Sequence, residues 1–133
     1  MKLLTKSQES QLLKNGSPEH REKDHAPVVK LFTPWTGCTW LLTELDPEEP
    51  RRAFGLCDLG MGYPELGYVD LDEIESVKGP FGLTIERDIH FEGTFPISVY
   101  AEAARYKGQI TERHDVLSQF VPKNDNPPGF QPQ

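Results

Sequence analysis

The apolar residues of this chain are concentrated between Ala26 and Tyr106, in short runs separated by glycine, proline and charged residues. Four runs are rich in β-branched, aromatic and leucine side chains, which favour strands. They span 27–32, 38–45, 53–59 and 65–71. Because the breaks between them are short and hold turn residues, neighbouring strands should pair in an antiparallel manner. The pattern therefore predicts a four-stranded meander.

A further strand is predicted over 85–92, where apolar and charged residues alternate with the period of two that is typical of strands. Helices are predicted at the two ends of this region. Thr5 and Gln8 have the spacing of a capping box that begins a helix over 6–15, and Gly16 stands where a left-handed cap would end it. Thr94 can cap a helix over 96–106. We therefore expect an α+β single domain, mainly an antiparallel sheet of about five strands flanked by short helices.

The apolar pattern also divides the chain. Residues 1–107 are predicted to form the domain, with 17–25 as an exposed connector, because every residue there except Pro18 is polar or charged. The segment 108–133 shows no periodicity and becomes rich in proline. We expect it to be a disordered tail.

The net charge of −7 indicates what the chain can bind. Direct binding of nucleic acid needs clustered Lys and Arg, so no direct nucleic-acid contact is expected. A basic partner, such as a DNA-binding protein, is compatible with this charge. The sequence has neither a signal-peptide pattern nor an apolar run of about 20 residues, so we expect a cytoplasmic protein that does not enter a membrane.

Complete catalytic and cofactor motifs are absent from the sequence. Cys38 and Cys57 lack metal-ligand spacing, and there is no Gly-x-Ser-x-Gly nucleophile elbow. The glycines between 55 and 67 match neither the dinucleotide-binding motif nor the P-loop. We therefore expect no cofactor.

Glu86, Asp88 and His90 are the strongest candidates for chemistry. On a continuous strand they would project from the same face at intervals of about 7 Å. Such a set could hold a divalent cation or supply a general acid and base. The alternative is the solvated face of an outer strand, which charged strand residues more often indicate.

Candidates for partner binding come from two features. Trp35 and Tyr63 lie in predicted turns, where an aromatic side chain can be exposed and anchor an interface. Asp70, Asp72 and Glu75 belong to an acidic stretch over 58–75 that has no Lys or Arg and could attract a basic partner. The alternative for the aromatic residues is that they belong to the core. The alternative for the acidic residues is that they form a solvated face.

Several blocks of the sequence resemble one bacterial family. They are Phe32-Thr33-Pro34, Thr39-Trp40, Phe54-Gly55-Leu56, Glu65-Leu66-Gly67-Tyr68, and Gly79-Pro80-Phe81-Gly82-Leu83 running into Glu86-Arg87-Asp88 and His90-Phe91. With the N-terminal residues, they are similar to the family called domain of unknown function 2958, over about residues 1–91.

That resemblance implies a role in mobile genetic elements, since the family is typically carried on plasmids, integrative elements and phages near antirestriction and DNA-processing genes. It carries over no catalytic residue. The leading hypothesis is a non-enzymatic accessory protein that binds a host or element protein. The alternative is a small metal-dependent enzyme that uses Glu86, Asp88 and His90.

Overall fold

The structure, a computed structural model, describes residues 2–122 and contains one five-stranded sheet. The strands are Val29–Phe32 (β1), Thr39–Leu45 (β2), Arg52–Asp58 (β3), Glu65–Asp70 (β4) and Glu86–Arg87 (β5). Their order is β4-β3-β2-β1-β5, and every neighbouring pair is antiparallel. This sheet and its short helices confirm the predicted α+β single domain.

Within residues 2–122, four α-helices accompany the sheet: Lys6–Asn15 (α1), Leu71–Ser76 (α2), Ile97–Lys107 (α3) and His114–Leu117 (α4). Short 3-10 turns occupy Pro80–Gly82 and Ser118–Phe120. The predicted capping box of α1 is present. Gly16 is not left-handed, however, with φ −85°; glycine is needed there because a Cβ would lie 1.9 Å from the carbonyl oxygen of Leu45.

Helices cover both faces of the sheet, so the domain has two apolar cores. Successive residues of a strand point to opposite faces. Leu42 therefore packs with α1 and α2 residues such as Leu12 and Ile74, while Leu41 packs against α3 and α4. The central strands are buried on both sides, which explains their nearly continuous apolar sequence.

The connector over 17–25 forms turns and reaches the start of α3. The Asp24 carboxylate accepts hydrogen bonds from the backbone N–H of Ser98, at 3.1 Å, and from its hydroxyl. The predicted cap, Thr94, instead contacts the hydroxyl of Tyr100. A residue distant in sequence thus supplies the carboxylate that the first turn of a helix favours.

The predicted domain boundary at residue 107 and the disorder predicted from 108 are corrected by the structure as far as residue 122. Residues 108–122 include α4, and Val116 and Leu117 are buried against α3. The physical reason is α3 itself: its small residues Ala101, Ala103 and Ala104 allow close packing on more than one side. The rest of the predicted tail, 123–133, lies outside the described residues.

Candidate functional site

Trp35 is half-buried and packs against the core that contains Leu42. The indole supports the turn that begins at Gly79, where an added Cβ would lie 2.6 Å from the ring. Trp35 is therefore less exposed than its place in a turn suggested, and its role as a partner contact stays a prediction. The exposed aromatic in this region is Phe81, which is 100% exposed and has a left-handed φ of 57°. The sequence pattern did not identify it.

Tyr63 lies where the sequence placed it, in an exposed turn, with 83% of its side chain accessible. Leu59 and Met61 are also exposed in the same loop, and we call these three residues the loop surface. Their alternation with Gly60 and Gly62, both at positive φ, was the missed signal. An open cleft of about 590 Å³ adjoins them, and its lining includes Tyr63, Leu66 and Arg105.

The predicted acidic residues have local structural partners. Asp70 caps α2, because its carboxylate accepts from the N–H of Asp72 at 2.8 Å. Asp72 and Glu75 both form ion pairs with Arg51. Burial lowers the pKa of Arg51, but its bonds to these two carboxylates outweigh that effect and raise it. One arginine therefore offsets part of the expected negative charge.

Two other carboxylates remain at the surface. Glu65 and Glu73 are exposed, and neither has an ion-pair partner within residues 2–122. Asp58, the first residue of the acidic stretch, is instead only 3% exposed and accepts hydrogen bonds from two backbone N–H groups. Asp58 therefore joins parts of the fold and is not a surface contact for a partner.

The strand β4 is the longer edge of the sheet and exposes two large side chains. Tyr68 is 61% exposed, and Leu66 is also exposed. The ring of Phe54 packs edge-on against Tyr68, with ring centroids 5.1 Å apart, and the Arg52 guanidinium lies 4.1 Å from the Tyr68 centroid. A cation so placed over an aromatic ring fixes its orientation. The Tyr68 side chain thus packs on two residues of β3 and remains largely exposed.

Glu86, Asp88 and His90 do not form the predicted strand face. The strand ends at Arg87, and Asp88 begins a turn in which its carboxylate accepts from the N–H of His90 at 2.9 Å. The expectation that all three project from one continuous strand is therefore wrong. The alternating sequence did not reveal the turn, because an Asp at such a position is compatible with a strand but also favours a turn through side-chain hydrogen bonds of this kind.

These three residues nevertheless line one cleft of about 340 Å³, together with Lys30. Lys30 lies 3.4 Å from the Asp88 carboxylate and also pairs with Glu112. Burial lowers the pKa of Lys30, but the two carboxylates more than compensate and raise it. Across residues 2–122, no group of three His, Cys, Asp or Glu side chains is placed to hold a metal ion.

The two cysteines are free thiols and both are half-buried. Burial raises the pKa of the Cys57 thiol from 9.0 to about 11. A thiol of that pKa is almost wholly protonated near neutral pH, whereas a nucleophile must be a thiolate. Cys57 is therefore structural.

The described part of the chain has no helix with the length and apolar character that crossing a membrane requires. No curated protein and no solved structure matches the chain. One family model does match, over residues 3–111, and its description is protein of unknown function, DUF2958. That match covers most of the chain, including all five strands and α1 to α3. The chain therefore belongs to the DUF2958 family of proteins of unknown function.

Proposed function

We propose that this chain is a non-enzymatic protein-binding module, and that the loop surface of Leu59, Met61 and Tyr63 is where its partner docks. The observation that carries the proposal is that these three large apolar side chains are exposed together in one loop, with Met61 75% accessible. Exposed apolar residues that cluster, unlike scattered ones, are typical of interfaces. Tyrosine is also enriched among the residues that dominate binding energy.

The candidate catalytic groups support a binding role. The Asp88 carboxylate forms an ion pair with Lys30 and accepts a hydrogen bond within a turn, and burial raises the pKa of Cys57. A catalytic acid, base or nucleophile needs a free position and a pKa near the working pH. Thermal melting with added Mn²⁺, Zn²⁺ or Mg²⁺ tests the enzymatic alternative. A rise in melting temperature that Asp88→Asn abolishes would favour a metal-dependent enzyme over the binding module.

The biological setting we propose rests on the sequence resemblance to proteins carried by plasmids, integrative elements and phages. In that setting the chain acts in the cytoplasm as an accessory protein of a mobile genetic element, in counter-defence or DNA processing. Its partner is a host or element protein, and the net charge of −7 favours a basic one, such as a DNA-binding protein.

Affinity purification of the tagged protein from its host, with nuclease treatment, tests this proposal. A stoichiometric protein should be captured by the natural chain and lost with the double variant Met61→Ser, Tyr63→Ser. Ile89→Ser is the matched control, since Ile89 is also largely exposed, at 67%, but lies outside the loop surface. Hot-spot residues typically contribute 2 kcal/mol or more, so capture should fall about thirtyfold. Equal capture by the two variants, or no nuclease-resistant partner, would contradict the proposal.

A further inference from the structure

The outer edge of β4 is unpaired. β4 is six residues long and hydrogen-bonds to β3 on one side only. Among residues 2–122, no backbone group outside β3 bonds to the backbone of 66–69. The outward N–H and C=O groups of an edge strand form a template for another strand. Within the described part of the chain, β4 therefore presents outward donors and acceptors without backbone partners, next to the loop surface.

Proteins usually protect such an edge, and β4 lacks the usual protection. Its central residues, 66–69, include no proline, lysine or other charged residue, although these are the common means of blocking edge pairing. The opposite edge contrasts with it. β5 has only two residues, and the Arg87 guanidinium donates to the carbonyl of Lys2 across it. Within residues 2–122, β4 is therefore the longer edge that is available to an added strand.

We propose that the partner protein adds an extended segment to β4, as a sixth strand of the sheet. The proposal deepens the proposed function and rests on it. Main-chain bonds would supply affinity, and side chains opposite Leu66 and Tyr68 would supply specificity. Those two side chains project from the same face, because they are two residues apart on a strand. The added segment should therefore carry apolar residues at alternate positions.

The charged residues of β4 indicate which residues the partner segment should carry at its ends. Glu65 and Asp70 bound the apolar part of β4, and neither forms an ion pair within residues 2–122. Opposite charges directly across a strand pair stabilise it, and like charges destabilise it. The partner segment should therefore have Lys or Arg flanking its apolar residues, in agreement with a basic partner.

The same charges disfavour a second copy of this chain as the occupant. Antiparallel self-pairing over all six residues of β4 would place Glu65 opposite Asp70 of the other copy at both ends. Each copy also carries a net charge of −7. Both terms are repulsive, so a heterologous basic strand is the favoured occupant.

Selection from a library of short random peptides, with the full chain as bait, tests the proposal. The enriched peptides should alternate apolar residues and carry Lys or Arg at their ends. Bound peptide should slow exchange of the outward-facing amides within 66–69 by tenfold or more, while the amides that already bond to β3 change less. A proline at the centre of the same peptide should abolish binding, since it removes a main-chain donor from the peptide and leaves the protein unchanged. Enrichment of acidic or helical peptides, or no enrichment, would overturn strand addition.

Variants of the chain locate the site. Leu66→Lys with Tyr68→Lys should remove peptide binding, and Glu65→Lys should weaken it about fivefold. Ile89→Ser should bind as the natural chain does. Unchanged affinity in the first two variants, or a β4-dependent homodimer, would overturn the proposal. Failure of strand addition can be distinguished from failure of the proposed function. If partner capture depends on Met61 and Tyr63 but is unchanged in the β4 variants, the chain is a binding module that does not use strand addition.

Discussion

Asp58 offers the sharpest test of how this fold is held together. Its carboxylate accepts the N–H of Gly60 at 2.9 Å through Oδ1 and the N–H of Ile110 at 3.0 Å through Oδ2. The first bond starts the loop that follows β3, and the second joins β3 to the segment that the sequence assigned to a tail. Replacing Asp58 with alanine removes both.

The magnitude follows from burial. A hydrogen bond to a charged group contributes about 1.5–3 kcal/mol, and a donor left unsatisfied in the interior adds a further penalty. Removing the carboxylate also removes the cost of burying it, so we expect Asp58→Ala to lower the free energy of unfolding by about 3 kcal/mol. Asp58→Asn keeps one accepting oxygen and turns an NH₂ towards the other donor. It should cost about half as much.

Urea unfolding followed by circular dichroism measures both variants, and an unchanged slope against urea would show that only stability changed. Amide hydrogen exchange at Ile110 gives a local readout, which Asp58→Ala should accelerate. A free energy of unfolding within about 0.5 kcal/mol of the natural chain, as expected for a surface site, would refute the reasoning. So would a loss of stability without faster exchange at Ile110.

Three further predictions follow from packing and burial. Leu117→Ala should lower the free energy of unfolding by about 2–4 kcal/mol in urea titrations, because Leu117 is 0% exposed; a loss below about 0.5 kcal/mol would mean that α4 is not part of the core. Gly79→Ala should cost about 1–3 kcal/mol and change the tryptophan fluorescence, because its Cβ would displace Trp35; unchanged fluorescence and stability would contradict this. Cys57 should hold its proton more tightly in the folded chain than in the unfolded chain, since burial raises its pKa from 9.0 to about 11. The contribution of this thiol to stability is then constant below pH 9 and is lost as the pH rises towards 11. Alkylation of Cys57 at pH 8 should be about a hundredfold slower in the folded chain than in the unfolded chain. Equal alkylation rates would refute this prediction.

The sheet was predictable because its signals are local. β1 to β4 are short apolar runs bounded by turn residues, and such runs leave few alternatives to an antiparallel meander. The α1 capping box was likewise readable from two residues. The sequence was misleading at 86–92. The alternation there was real, but the carboxylate of Asp88 instead accepts a hydrogen bond from the N–H of His90 and forms a turn.

The remaining features depend on contacts between distant residues. Asp24 caps α3 across 74 positions of sequence, and Asp58 joins Ile110 across 52. Val116 and Leu117 carry no periodic pattern of their own and are buried only because α3 provides a surface of alanines. The exposure of the β4 edge is also a property of strand order, which a single strand sequence does not contain.

Asp58 also links stability to the proposed binding surface. It ends β3, its carboxylate fixes Gly60 at the start of the loop surface, and β4 begins where that loop ends. A loop anchored at both ends by the sheet loses little conformational freedom when a partner binds, and such preorganisation raises affinity without new contacts. Asp58→Ala removes the bond to Gly60 and should therefore weaken partner binding by releasing the loop, although Asp58 itself is buried. The loop surface and the edge of β4 would then act as one continuous site, held in place by a buried carboxylate.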